Sequence, residues 1–256
     1  SILRPSQQSG FYFDLINLLE EFGIPLEGIH TETGPGVYEA AIMHDHVLAA
    51  ADKAALLKNA IKEIAFKHGI MASFMAKWNH DLPGCSGHVH QSLWSMDKAS
   101  NLFYDEADKH NMSELMKHYL AGQLYCLPHI IPMYAPTVNS YKRLVEGAWA
   151  PTTITWGIDN RTTSLRVLNH AHDYTRLETR IPGSDTNPYL ALSAALASGL
   201  YGIKHKLPLT LPPVEGNGYN YKSNGSIATN LYEAAATMKS SAVARELFGD
   251  IFTEHY

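Results

Sequence analysis

The chain has 256 residues, 45% of them hydrophobic and 18% charged, which is enough for one large core or two small ones. A net charge of −5 and a pI near 6.2 give no general electrostatic case for nucleic acid or an anionic membrane as partner. Only two cysteines, Cys85 and Cys126, no apolar run of membrane-spanning length and no visible secretory signal make a reducing cytoplasm the expected setting.

Ser1 to Gly10 is polar and turn-like, and from Phe11 the apolar residues Leu15, Leu18, Leu19 and Phe22 recur at helical spacing until Gly23 and Pro25 end the helix. Glu32-Thr-Gly-Pro-Gly-Val-Tyr-Glu39 then reads as a turn between two strand-like pieces, whose fold-back brings two carboxylates to one locus. Val47 to His68 is a long helix ended by Gly69. Met71 to Lys77, short and apolar, is expected as a strand leading into Gly84-Cys-Ser-Gly-His88-Val-His90-Gln-Ser92-Leu93. Two histidines separated by one residue share a face if that segment is extended, and neutral imidazole is both a metal ligand and a tunable donor.

Asn101 to His110 is loop-like, and Ser113 caps a helix expected to run to about Tyr125. The proline-interrupted Leu127 to Pro136 leads to Asn139-Ser-Tyr-Lys-Arg143-Leu-Val-Glu146-Gly-Ala-Trp149-Ala-Pro151, whose Gly and Pro content suggests a functional loop. Thr152 to Gly157 is strand-like, and Asp159-Asn160-Arg161 turns into Ser164 to Leu168. In Arg176-Leu-Glu178-Thr-Arg180 the three charges fall at period two and share one strand face. Asn187-Pro188 starts a helix through Gly199 or Lys204, Leu207 to Tyr221 is irregular, and Asn230 to Leu247 reads as one final helix. Helices and strands do not alternate regularly, which makes the fold class α+β.

The carboxylates and imidazoles of this set suit Mg²⁺ or Mn²⁺, and Arg143, Arg161, Arg166 and Arg180 supply planar, permanently charged donors for phosphate and carboxylate oxygens. Together they fit metal-assisted phosphoryl transfer without a Walker loop.

Five ordered motifs carry a resemblance to the catalytic domain of glutamine synthetase. They are Glu32-x-Gly-Pro-Gly-x-x-Glu39, Gly84 to Leu93, Asn139-Ser-Tyr-Lys-Arg-Leu-Val, Asn160-Arg161 to Arg166, and Glu178-x-Arg180 with Asn187-Pro-Tyr-Leu. The resemblance implies one such C-terminal catalytic domain over residues 1–256, a curved antiparallel sheet (half-barrel) flanked by helices. It implies also that the segment is incomplete at both ends and lacks the family's N-terminal β-grasp domain, in keeping with the absent initiator Met.

By position, Glu32 and Glu39 resemble ligands of one metal, and His88 and Glu178 ligands of a second that bridges nucleotide phosphates. His90, Ser92, Arg166 and Arg176 fall where ATP is contacted, Gly84, Arg143 and Arg180 where glutamate is held, and Arg161 where the transferring phosphoryl group is stabilised. The implied cofactors are ATP and Mg²⁺ (or Mn²⁺), and the implied partners are glutamate, an amine and further copies of the chain in a decameric or dodecameric ring.

Three positions depart from the family. Pro83 replaces an Asn, Val37 a Gln, and Trp149 stands where ammonia-using members carry a flap Glu, with Glu146 three residues earlier as a substitute acid. Three readings follow: a γ-glutamyl amide ligase for an amine larger than ammonia, a glutamine synthetase using Glu146, or a non-catalytic, lengsin-like assembly of the same fold.

Overall fold

The computed structural model describes residues 6–256. Helix α1 (Ser9–Glu21) lies where the apolar spacing places it, burying Leu15 and Leu19, and already includes the last two residues of the stretch expected to be turn-like; the first five residues lie outside those described. Strands β1 (Leu26–Thr31) and β2 (Tyr38–Ile42) pair antiparallel around the Gly-Pro-Gly turn. Helix α2 (Val47–Lys67) closes over them, and Leu15, Leu19, Ile24, Leu57 and Ile64 form the small core between these elements.

Met71 to Lys77 is not a strand. Its backbone groups are met singly: the Lys77 N–H donates to Asn139 Oδ1 (2.9 Å), the Lys77 carbonyl accepts from Asn139 Nδ2 (2.8 Å), and the Ala76 carbonyl accepts from Cys85 N–H (2.8 Å). With side chains and a crossing loop taking those bonds, no neighbouring strand is required.

The main sheet has four short strands, β3 (Val89–Gln91), β4 (Trp156–Ile158), β5 (Leu165–Leu168) and β6 (Arg176–Thr179), in the order β3-β6-β5-β4. β3–β6 and β6–β5 are antiparallel, while β4 runs parallel to β5, and the expected strand over Thr152 to Gly157 is confined to its last residues. Behind the sheet pack α3 (Glu114–Ile130) and α5 (Pro188–Lys204), capped by Ser113 and Asn187. Helix α3 passes through Pro128 instead of stopping near Tyr125, because Cys126, Leu127 and Ile130 are buried in the larger core and outweigh the one lost backbone bond. Gly122 and Gly202 let α3 and α5 touch backbone to backbone: a Cβ on Gly202 would lie 2.0 Å from the His118 carbonyl oxygen.

A buried ring of amides and hydroxyls pins sheet to helix. Tyr119 Oη and Gln123 Nε2 both donate to Gln91 Oε1 (2.6 and 2.7 Å), Gln91 Nε2 donates to Thr179 Oγ1 (2.8 Å), and Thr179 Oγ1 donates to Gln123 Oε1 (2.8 Å). This closed network fixes the register of β3 on β6, on which the neighbouring charges depend.

The loop expected at Asn139 to Pro151 begins as a short helix, α4 (Val138–Arg143), held by a Thr137/Ser140 capping box. The single helix expected at the C-terminal end is three: α6 (Leu231–Ser240), α7 (Ala242–Phe248) and α8 (Asp250–His255). Buried Ser241, in extended conformation, caps α7 through the Ala244 N–H (3.1 Å), and Gly249 at φ +80° separates α7 from α8.

Candidate active site

Glu178 is the centre of the site, and sheet register explains its neighbours. His90 on β3 and Arg166 on β5 both lie directly opposite it. Its side chain is 2% exposed. Arg166 Nη1 donates to Oε2 at 2.9 Å, Arg180 Nη1 donates to Oε1, and His88 Nδ1 lies 3.0 Å from Oε1 with His90 Nε2 at 3.9 Å. Arg176, at the far end of the same face, donates from Nε to His90 Nδ1 (3.0 Å). The period-two reading of β6 and the shared face of the two histidines therefore hold in the structure.

Burial alone favours the neutral carboxyl of Glu178, but the His88 hydrogen bond and the Arg180 guanidinium outweigh it and hold the group well below the usual carboxylate range. Burial pushes His88 down to about 4, so its imidazole is neutral at physiological pH. A neutral ring that donates from Nδ1 to Glu178 keeps its lone pair on Nε2, and that atom is buried with no hydrogen-bond partner. A buried imidazole nitrogen with a free lone pair, oriented from behind by a carboxylate, is the arrangement of a metal-ligating histidine. These residues fit a divalent cation.

The β1–β2 hairpin brings the second acidic pair together. His30 is opposite Glu39, and Glu32 shares its face two residues on. His30 Nε2 lies 3.0 Å from Glu32 Oε1 and 3.9 Å from Glu39 Oε1, and one ligand atom from each of the three lies within 4.8 Å of the others. The carboxyl of Glu39 is raised by burial, with His30 opposing and the Glu32 and Glu178 carboxylates adding to it. Glu39 thus feels Glu178, and the turn itself abuts the histidine loop, with the Pro83 carbonyl oxygen 3.8 Å from where a Gly34 Cβ would stand. His30 was not legible as a member of this set; its alternation with Glu32 along β1 is the signal that finds it.

A cavity of about 600 Å³ opens beside this centre, lined among others by Trp149, Asp159, Asn160, Arg161 and Glu215. Two of its walls are tied back to Glu178 by arginines. Arg166 bridges Glu178 and Asp159, donating to Asp159 Oδ1 from Nε (3.0 Å) and Nη2; Arg180 bridges Glu178 and the Trp149 carbonyl, to which its Nη2 donates (3.2 Å). Trp149 sits at φ +55° with Gly147 at +79°, so the loop reverses sharply and leaves the indole 61% exposed. Arg161 has no hydrogen-bond or ion-pair partner among the described residues. Glu146 has one, Lys222 Nζ at 2.7 Å.

The remaining expected residues divide. Ser92 is exposed beyond β3, accepting from Trp94 Nε1 at 3.0 Å. Arg143 is 3% exposed and turned into the chain, donating from Nη2 to the Arg180 and Ile181 carbonyls; burial lowers it to about 10, and its Nε is unpartnered. Gly84 makes room for that packing, since a Cβ there would lie 2.4 Å from the Ala76 carbonyl oxygen and 2.7 Å from Arg143 Cγ.

A model of the glutamine synthetase catalytic domain matches residues 2–256. The chain is 50% identical over its whole length to type-1 glutamine synthetase 2 of Dictyostelium discoideum, covering 49% of that protein. It is 42% identical over its whole length to the glutamate–isopropylamine ligase of a Pseudomonas species, covering 56% of it. The γ-glutamylethanolamide synthetase of Streptomyces coelicolor is 42% identical across 91% of the chain and 49% of its own length. The chain thus spans about half the length of these relatives. A solved structure of GmaS with ADP superposes with a TM-score of 0.85 at 29% identity, covering 97% of the chain and 57% of that structure.

Proposed function

The chain belongs to the glutamine synthetase catalytic-domain family, and from that premise we propose that it carries the active site of an ATP-dependent ligase joining the γ-carboxylate of glutamate to an amine larger than ammonia. The observation that carries the choice of amine is Trp149: at the family's flap-carboxylate position stands an exposed indole on the wall of a 600 Å³ cavity that Arg161 shares. An indole face binds an alkylammonium or an aromatic amine through cation–π and apolar contact, worth about 0.5–2 kcal/mol, and offers ammonium no counter-charge. Two relatives at 42% identity are named as a glutamate–isopropylamine ligase and a γ-glutamylethanolamide synthetase.

In the proposed reaction a γ-carboxylate oxygen of glutamate bonds to the γ-phosphorus as the bond to ADP breaks. The amine nitrogen then bonds to the acyl carbon, phosphate departs, and the amine proton passes to solvent. Arg161, free in the cavity, and Arg166, fixed between Asp159 and Glu178, face the phosphoryl oxygens whose charge builds as transfer proceeds. Arg180 turns a guanidinium toward the acid substrate from a position shared by Glu178 and the flap backbone. Glu32 and Glu39 would hold one divalent cation and His88, oriented by Glu178, would bind a second, to which Glu178 would be a direct ligand only on giving up a present partner; such metals would neutralise phosphate charge.

Ordinary glutamine synthesis draws support from the 50% match to a protein named for it. It needs a replacement acid, and Glu146 is already paired with Lys222. A purely structural role leaves a buried carboxylate among two arginines and two histidines without a use, and burying such charges is costly. We propose further that the full-length protein forms a ring of identical subunits. Phe13 on α1, Phe22 just after it, Phe66 on α2 and Met71 beyond α2 are large, apolar and exposed, as residues covered by a neighbour would be. Light scattering that returned a monomer would refute the ring.

The test of function is phosphate release from ATP and glutamate by the full-length, metal-loaded protein, comparing ammonia with alkyl, poly- and aromatic amines. An amine with an apolar body is expected to be the best nucleophile, and Trp149→Glu is expected to shift preference toward ammonia about tenfold or more. Ammonia as the best substrate of the unmodified protein would refute the reading.

A further inference from the structure

Charge in the cavity beneath Trp149 is distributed unevenly. Two carboxylates line it, Asp159 and Glu215. Asp159 is neutralised, because its Oδ1 accepts both Nε and Nη2 of Arg166. The carboxylate of Glu215 has no ion pair and no hydrogen bond among the described residues.

Glu215 is nonetheless held in place from both sides. Asn160 Nδ2 donates to the carbonyls of Val214 (3.2 Å) and Gly216 (2.8 Å), the residues that flank it. The Val214 N–H donates to the Trp156 carbonyl on β4 (2.8 Å), Tyr221 Oη donates to the Glu215 carbonyl (3.3 Å), and Gly216 at φ +79° turns the chain. Asn160 immediately precedes Arg161. One amide therefore anchors, on the same cavity, a free guanidinium next to it in sequence and a free carboxylate opposite it in the chain.

We infer that Glu215 is the residue that receives the ammonium group of the amine substrate, and that the substrate class is primary amines whose carbon body lies against the Trp149 indole. The inference rests on the ligase reading and supplies what that reading lacks, a counter-charge for the nucleophile once the flap carboxylate is gone. A primary amine is mostly protonated near neutral pH, so it arrives as a cation. An exposed carboxylate with no ion pair among the described residues, mounted on a fixed turn, attracts it without first breaking an ion pair. The same carboxylate on Asp159 would have to be released by Arg166.

The experiment is steady-state kinetics of Glu215→Gln in the full-length protein, with a short alkylamine and with hydroxylamine as nucleophiles. Hydroxylamine is largely uncharged above neutral pH and makes no demand on a counter-ion. In Glu215→Gln the KM for the alkylamine, taken relative to that for hydroxylamine, is expected to rise about tenfold, while the KM values for ATP and glutamate stay put. Glu215→Lys should raise that ratio further. Equal losses with both nucleophiles, or no change in the alkylamine KM, would overturn the role of Glu215 while the unmodified enzyme went on turning over amines. Failure of the unmodified enzyme with every amine would overturn the ligase reading, and this inference with it.

Discussion

Replacing Glu178 by Gln tests whether the site is organised around one carboxylate. The change keeps the shape and removes the charge from a group that Arg166 approaches to 2.9 Å, His88 to 3.0 Å and Arg180 also contacts. At 2.9 Å two unit charges attract by about 6 kcal/mol at an effective dielectric of about 20, and most of that is already offset by the cost of burying them. What remains is the penalty of leaving two largely buried guanidiniums facing one another without a counter-charge, about 3–5 kcal/mol for losing one partner of a buried pair. The Gln side chain recovers about 1 kcal/mol through an acceptor it retains, so the expected loss is about 3 kcal/mol. For a chain of this size that corresponds to a Tm lowered by about 6–12 °C, and to a smaller shift in a longer protein.

The assay is thermal unfolding of the full-length protein in chelator, over a pH series. Because the folded pKa of Glu178 lies below its ordinary value of 4.5, the carboxylate contributes its full stability above that pH. The gap between wild type and variant should therefore be constant from neutral pH down to about 4.5 and shrink only below it. In an Arg180→Met background Glu178→Gln should cost less, since one stranded cation is gone. Identical melting of Glu178→Gln and wild type at neutral pH would show that the carboxylate is not the hub described.

Gly202→Ala should destabilise by about 1–3 kcal/mol, because the added methyl meets the His118 carbonyl and Gly122 Cα, which are backbone and cannot yield; urea midpoints measure it, and a neutral result would mean that α3 and α5 slide apart freely. Cys126 is buried and pushed up to about 12, and burial raises Cys85 as well, so both thiols should resist alkylation near neutral pH until the protein unfolds. Peptide mass mapping after native labelling checks this, and rapid modification of Cys126 would contradict its burial. Mg²⁺ or Mn²⁺ should raise Tm, and less so in Glu39→Gln or His88→Gln. Since Glu39 is raised, it takes up its proton at higher pH than an ordinary carboxylate, and the metal-induced rise in Tm should fade correspondingly early on acidification.

What was legible in the sequence was whatever depends on a strict local period. Arg176, Glu178 and Arg180 share a face because strand periodicity is two, and His88 and His90 meet the same carboxylate for the same reason. Partners set by register across strands were not legible. His30 joins Glu39 only because the hairpin places them opposite one another, and Arg166 reaches Asp159 only because Asp159 directly follows β4, which lies beside β5. Met71 to Lys77 had the composition of a strand, and its outcome was decided by Asn139, distant in the chain. Pro128 gave a sound local argument for ending α3 that buried neighbours overrode. Asn230 to Leu247 read as one helix, and the break at Ser241 appears only where its side chain caps the next helix. Glu215 lies in a Pro- and Gly-rich stretch with no periodicity, where only the backbone bonds from Asn160 reveal that it is fixed.

One guanidinium makes the two halves of the proposed reaction interdependent. Arg180 donates from Nη1 to Glu178 and from Nη2 to the Trp149 carbonyl, and its Nε is buried without a partner. Its side chain is already shared between the phosphate side of the site and the flap that walls the amine cavity. A substrate carboxylate drawn to Arg180 must take Nη2 from the flap, take Nη1 from Glu178, or engage Nε by displacing what covers it. The first loosens Trp149 and the second unbalances the group that orients His88. Only the third leaves both in place, and Nε is the donor the folded chain leaves unspent. On the ligase reading, acid binding at Nε would leave the Arg180 bond to the Trp149 carbonyl intact while the carboxylate is activated, so the flap backbone would keep its position beside the amine cavity. Arg180→Lys, which retains the charge but offers one nitrogen in place of three, should then uncouple the steps: phosphate release without amine should rise relative to amide formation. An unchanged ratio of phosphate to amide would break the link between Arg180 and the flap.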